Sequence, residues 1–434
     1  MPESKPLNER PPGPDSPVTL GIDPATLGVL TGLQRDYGDL VHVQKTSGRH
    51  ALFINDPAII RHILVRRHAR YQKGPGFERV KMLLGNGLIV SDGDVWRRSR
   101  TMIQPAFKVQ NVQQLLQAMI NCSEQRARAW QAAAEAGKPI NITQQTSDFA
   151  LELILVCIFG ADYEQKLLAD GDNPFDFLSK DSTRDLSVVL KVRKLRARLL
   201  DIIAERRETR SDEFDFLSMY LKATDKQGNP FSDNELLDEL MTLIVAGFET
   251  SANTLNWVWY LLAGNAAVEA RLLEELHELL PHDQPPSAAH IDALPYTQQV
   301  IDETLRLYPP VWLFTRRAVE ADELGEYGAV PGDDIYLSPY ILHRSVRYWP
   351  DPERFDPGRF EQGKQERKER PYFPFSLGPR RCLGEYFSFL EMKVHLALLL
   401  PRFRMQRSSA DSPGLEMGIN LRSTNDILLQ PQVR

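Results

Sequence analysis

The sequence predicts a mainly α-helical protein with small β-sheets, and three observations carry that prediction. From Asp94 to roughly Leu280, apolar residues recur at helical spacing. Strand-like alternation is confined to short stretches near the N-terminus and after Pro310. Between Trp349 and Pro374 the chain is crowded with Pro, Gly and charge, which reads as an irregular surface meander. The 434 residues include 42% hydrophobic side chains, enough for one large core. With no internal repeat and no clean linker, the expected organisation is an irregular segment over 1–20 and a single domain over 21–434.

The elements follow in order. Helical signals begin near Pro24. Leu40–Gln44 and Ala51–Ile54 alternate as strands, and the turn residues from Thr46 to Arg49 make them a hairpin. Asp56-Pro57 opens a helix. Residues 72–92 mix Gly, Phe, Leu and charge and read as a loop-rich cover over a cavity. Asp170–Pro174 breaks the helical pattern, which resumes as a basic helix over Leu186–Arg207. After the turn cluster Thr224–Pro230, Ser232 and Glu235 have capping-box spacing, and the helix they start runs to Leu262. Helices follow near Ala267–Leu280 and Tyr296–Leu307, the second stopped by Pro309-Pro310. The last long helix spans Leu383–Leu399.

Composition excludes several classes of function. A formal charge of −6 offers no basic excess for nucleic acid. The N-terminus lacks the apolar core of a signal peptide, and no window holds 18 uninterrupted apolar residues. A cytoplasmic protein without a transmembrane anchor is expected. Three cysteines do not make a disulfide framework. Cys157 lies in an apolar helix and Cys122 on an amphipathic one, the usual places for a cysteine acting as a small buried hydrophobe.

Cys382 differs, because Gly, Pro and Arg surround it. In the loop from Phe375 to Gly384, Gly378 and Gly384 allow positive φ or close backbone approach to a flat cofactor. Phe375 can pack beside the sulfur, Arg380 can reach an acidic substituent, and the following helix turns its positive end to the thiolate. No companion cysteines have zinc or iron–sulfur spacing. A low-pKa nucleophile served by His343, and an inert loop cysteine, remain the other readings of these residues.

The pattern Phe375, Gly378, Arg380, Cys382, Gly384 resembles the haem-binding loop of the cytochrome P450 family, and four further segments from Trp96 onward resemble that family in order and spacing. The resemblance implies a triangular helical prism enclosing haem b, with Cys382 as the iron ligand. Ala246-Gly247-Phe248-Glu249-Thr250 resembles the family's distal helix. There Glu249 and Thr250 order water and deliver protons during oxygen activation, and Ala246 and Gly247 line the cofactor side. Glu303 and Arg306 resemble the structural Glu-x-x-Arg element, with Arg359 as its third member. Trp96 and Arg100, one helical turn apart, together with Arg317 and Arg380, match the groups that hold the haem carboxylates.

The implied activity is a monooxygenase that inserts one atom of O2 into a lipophilic organic substrate, by C–H hydroxylation of a fatty acid, terpenoid or related natural product. Phe77, Leu88, Ile244, Val311, Trp312, Leu313 and Phe314 are its pocket candidates, with the 170–200 region also bordering the cavity. Electrons are expected from NAD(P)H through a separate ferredoxin or flavodoxin and its reductase, since the chain ends at Arg434 without a fused flavoprotein. Arg97, Arg98, Lys108 and Arg381 are candidates for the docking face. A monomer is expected. A peroxygenase driven by hydrogen peroxide and a non-catalytic haem sensor or carrier are the alternatives.

Overall fold

In the computed structural model the described residues are 9–160, 163, 186–209, 213–281, 283–361, 371–408 and 412–434. They fall into two compact units. One comprises Met1–Arg79, Asp302–Cys382 and Gly414–Thr424; the other comprises Val80–Ile301, Leu383–Pro413 and Asn425–Arg434.

The first unit is built on a five-stranded sheet. The expected hairpin forms, with Leu40–Gln44 antiparallel to His50–Ile54 and the register running from Leu40 opposite Ile54 to Gln44 opposite His50. His50–Ile54 then pairs in parallel with Asp334–Leu337. That strand pairs antiparallel with Phe314–Ala318, and Tyr71–Lys73 closes the far edge. Leu52, Ile54, Ile335 and Leu337 from the sheet pack with Ile60, Leu342 and Phe373 into one apolar core. The Asp56 carboxylate caps the helix Pro57–Arg61 by accepting the Ala58 and Ile59 N–H groups at 2.8 and 2.9 Å.

The second unit is helical. Its longest helix is Asp233–Leu262, opened by the capping box of Ser232 and Glu235. It packs along Ile142–Phe159, the one described helix long and apolar enough to cross a membrane. Most of that helix is buried, as in a core helix. Gly247 makes the contact close, since a Cβ there would meet Ile154 Cδ1 at 2.9 Å. The final helix, Glu385–Leu399, packs on Leu116–Glu135, whose buried Trp130 stands edge-on to Trp259 at 5.0 Å. His395 accepts the Trp259 indole N–H at 3.1 Å. A three-stranded sheet of Ile140–Asn141, Leu428–Val433 and Phe403–Arg407 borders this unit.

Two expectations need correction. Residues 72–92 are less irregular than their composition suggests, because Tyr71–Lys73 is a strand and Phe77–Leu84 a helix. Gly85, at φ +76°, ends that helix. The last helix starts at Glu385 rather than Leu383. The substrate-facing reading of 170–200 falls largely outside the described residues.

Candidate functional site

The cysteine loop is tied together by hydrogen bonds within its own backbone. Cys382 N–H donates to Phe375 O at 2.9 Å, Arg381 N–H to Gly378 O at 3.0 Å, and Ser376 N–H to Phe373 O at 3.0 Å. Gly378 sits at φ +69°, and a Cβ there would lie 2.1 Å from Leu64 O, so only glycine fits. Ser376, at φ +63°, occupies the left-handed region without that freedom, a cost of about 1–2 kcal/mol. Of the three cysteines, Cys382 is exposed while Cys122 and Cys157 are buried. Burial pushes the Cys122 and Cys157 thiols up, so they stay protonated and inert. His343 is fully buried and its Nε2 accepts the Phe373 N–H at 3.1 Å. It is committed to the backbone, and burial lowers its pKa far below the ordinary value.

Behind this loop stands a buried ion-pair network. Glu303 and Arg306 on the helix Pro295–Leu307 are both fully buried and joined in a fork, Nε to Oε2 at 2.6 Å and Nη2 to Oε1 at 2.8 Å. Arg306 also donates to His343 O at 2.8 Å and Arg354 O at 3.2 Å, while Glu303 accepts the Asp356 N–H at 2.9 Å. Arg359 lies 3.4 Å from Glu303 and donates to Asp351 O at 2.8 Å. Helix and meander are thereby tied at both charged ends.

The strand Phe314–Ala318 redistributes the arginines. Arg317 stands opposite Asp334 in the sheet, and its Nε donates to Asp334 Oδ1 at 2.8 Å; Lys45 Nζ takes the other oxygen at 2.8 Å. The guanidinium expected to hold a cofactor carboxylate is therefore engaged within the sheet. Arg316, which the sequence reading passed over, projects from the other face by strand alternation and is buried, with Nη1 on Thr315 O at 2.7 Å. Cross-strand charge pairing would have separated the two, had the register been legible.

The pocket candidates of this unit also sort themselves. Trp312 is fully buried and its indole N–H donates to Gly418 O at 2.8 Å, which makes it a packing anchor and not a substrate contact. Leu313 is buried, Val311 and Phe314 are half-buried, and Phe314 lies 6.0 Å from Phe373 ring to ring. Phe77 is half-buried, with Lys73 Nζ 4.4 Å from its ring centre. Arg380 is half-buried beside the cysteine, and Arg381 is exposed.

In the second unit, Ala246, Glu249 and Thr250 are half-buried on the helix Asp233–Leu262, and Ile244 and Phe248 are buried. The helix is continuous here. Thr250 Oγ donates to Ala246 O at 2.8 Å, so its hydroxyl rests on the helix backbone instead of opening it. Gly247 has a packing explanation, because the place its side chain would take belongs to Ile154. On the helix Gly93–Ile103, Trp96 is buried and Arg100 half-buried on one face. Gly384 precedes the final helix as its N-cap residue. Leu88 is half-buried. The expected basic docking face is weakened, since Arg98 pairs with Asp225 at 2.9 Å and Glu235 at 2.6 Å, and Arg97 pairs with Asp94 at 2.5 Å.

Sequence reading missed three further long-range hydrogen bonds. Ser251 Oγ donates a short hydrogen bond to Glu391, whose burial pushes its carboxyl up to about 8. Asp238 and Glu239 bind backbone N–H groups of the 85–90 loop. No local spacing signals contacts of this range.

The cytochrome P450 family model matches residues 22–429. Cyclooctatin synthase of Streptomyces melanosporofaciens is 32% identical over 391 residues, covering 85% of this chain and 83% of that protein. Cyclooctat-9-en-7-ol 5-monooxygenase of the same organism is 30% identical over 424 residues, 91% of each. A crystal structure of a cytochrome P450 (CYP102L1) superposes with a TM-score of 0.87 over 99% of this chain and 100% of the other, at 24% identity.

Proposed function

The chain belongs to the cytochrome P450 family, and from that premise we propose that it is a haem-thiolate monooxygenase that hydroxylates a terpenoid. The residues fit the cofactor. One exposed thiol sits on a loop whose backbone is fixed by its own hydrogen bonds. Among the described residues no group of three or more His, Cys, Asp or Glu could cage a bare metal ion. A single thiolate would suit an iron whose remaining ligands come from a macrocycle. When bound, haem supplies O2 activation and transfer of one oxygen atom to a C–H bond.

The protein's own residues do the rest. Cys382 ligates the iron, and the hydrogen-bonded 375–382 backbone holds its sulfur in place. Arg316, Arg380, Trp96 and Arg100 bind the two carboxylates, with Arg316 taking the role expected of Arg317. Glu249 supplies an ionisable carboxyl and Thr250 a rotatable hydroxyl one residue on, a pair suited to ordering water and passing protons. Leu88, Val311 and Phe314 present apolar surface to the substrate, whereas Ile244, expected beside them, is fully buried and packs within the protein. Glu303, Arg306 and Arg359 hold the scaffold. Residues 21–434 act as one catalytic domain, in a cytoplasmic monomer fed by NAD(P)H through a ferredoxin or flavodoxin.

The observation that carries the reading is the exposed Cys382 on its hydrogen-bonded loop, in a chain matched along its length to monooxygenase relatives. The terpenoid assignment rests on those relatives, with long-chain fatty acids as the comparison set. The test incubates haem-loaded protein with ferredoxin, its reductase, NADPH and isotopically labelled O2 against a panel of terpenoid alcohols and fatty acids. A terpenoid product carrying one labelled oxygen is expected, and Cys382→Ser should lose both the product and the thiolate-haem spectrum. Turnover supported by hydrogen peroxide alone, or a thiolate-haem protein that turns over nothing with any donor, would refute it.

A further inference from the structure

Two adjacent carboxylates on the helix Asp233–Leu262 grip the backbone of a neighbouring loop. Asp238 Oδ2 accepts the Asn86 N–H at 2.7 Å, and Glu239 Oε2 accepts the Leu88 N–H at 2.9 Å. Glycines on either side of Asn86 permit the approach. A Cβ on Gly85 would lie 1.9 Å from Asp238 Oδ1, and one on Gly87 would lie 2.3 Å from Thr242 Oγ and 2.6 Å from Asp238 O. Residues 85 and 87 are therefore pressed against the helix surface, and any side chain at either would push the loop away. Glu239 is buried and also hydrogen-bonds Ser99, on the helix that carries Trp96 and Arg100. The second oxygen of Asp238 binds Arg196 Nη2 at 2.9 Å, from the helix Leu186–Thr209.

The geometry is that of a clamp with a fixed pitch. Neighbouring helix residues hold N–H groups two residues apart in the loop, so the helix dictates where the loop backbone runs. Leu88 and Ile89, both half-buried, follow from that placement. A loop held only by apolar contact would adjust to each ligand. Hydrogen bonds to acceptor oxygens anchored on a long helix resist such adjustment, because breaking one leaves a buried polar group without its partner.

We propose that Asp238 and Glu239 are positioning residues for substrate selectivity, fixing the 85–90 loop so that Leu88 and Ile89 set a steric limit on the ligand. The inference rests on the monooxygenase reading above, in which Leu88 borders the substrate, and extends it to the adjoining Ile89. Loosening the clamp widens the range of ligands accepted and leaves haem ligation alone.

The experiment titrates haem-loaded full-length protein with imidazole and with 4-phenylimidazole, followed optically. Both offer the same iron-binding nitrogen, and they differ by one ring. Hydrogen exchange at the Asn86 and Leu88 amides is measured in parallel. In Glu239→Ala both amides should lose protection. The affinity ratio should shift roughly tenfold toward the bulkier ligand, as loss of one hydrogen bond allows. Glu239→Gln keeps an acceptor oxygen and should restore the wild-type ratio. If Glu239→Ala does not hold haem, Asp238→Ala carries the same test at a more exposed position. Faster exchange with an unchanged ratio, or unchanged exchange, overturns the proposal while the monooxygenase reading stands. Absence of a thiolate-haem spectrum in the wild-type protein overturns that reading and the proposal with it.

Discussion

Glu391 gives the sharpest stability prediction. It is completely buried on the final helix, with Ser251 Oγ as its hydrogen-bond donor, and burial raises its carboxyl from 4.5 to about 8. The native protein therefore keeps a proton that the unfolded chain releases above about pH 4.5. The native state binds more protons across this window, so stability is complete below it and falls as pH rises toward 8. Each pH unit costs about 1.4 kcal/mol, which amounts to roughly 3 kcal/mol between pH 5 and pH 7. Glu391→Gln keeps a carbonyl to accept from Ser251 and has no proton to lose. Its constant offset is set by where the new amide donors point, but its pH slope should be shallower by Glu391's share. The assay compares urea midpoints of haem-loaded wild type and variant at pH 5.5, 7 and 8.5. The gap should move in the variant's favour as pH rises. A gap that stays constant over this range would refute the reasoning, because it would mean that Glu391 ionises in the native protein as freely as in the unfolded one.

Other perturbations follow from the same geometry. Glu303→Ala leaves Arg306 as an uncompensated buried charge, which should cost about 3–5 kcal/mol; thermal melts and haem retention would both fall, and an unchanged melt would contradict the burial seen here. Gly247→Ala must displace Ile154 or push the helices apart, a cost of about 1–3 kcal/mol read as a lowered melting temperature. Arg316→Ala should speed haem loss to an apo-acceptor protein more than Arg317→Ala does, whereas Arg317→Ala should chiefly lower the melting temperature by leaving Asp334 with Lys45 as its remaining cation; the reverse order would return the carboxylate role to Arg317.

What was legible in the sequence was local. The capping box of Ser232 and Glu235 announced the start of the helix Asp233–Leu262, because its partners lie three residues apart. The hairpin around Thr46–Arg49, the Glu303–Arg306 pairing and the glycine-bounded cysteine loop were readable for the same reason: each depends on spacing within one element or turn. Tertiary structure decided what spacing leaves open. Arg316 and Arg317 are adjacent, and only the register against Asp334 shows which one the sheet consumes. Gly247 looked like a gap left for a ligand, yet its immediate neighbour is Ile154 of another helix. Glu391 and Ser251 lie 140 positions apart, and Asp238 and Asn86 lie 152 apart. Backbone geometry fixes which residues share a turn or a strand face, whereas partners this distant meet only where packing of whole helices brings them within hydrogen-bond reach.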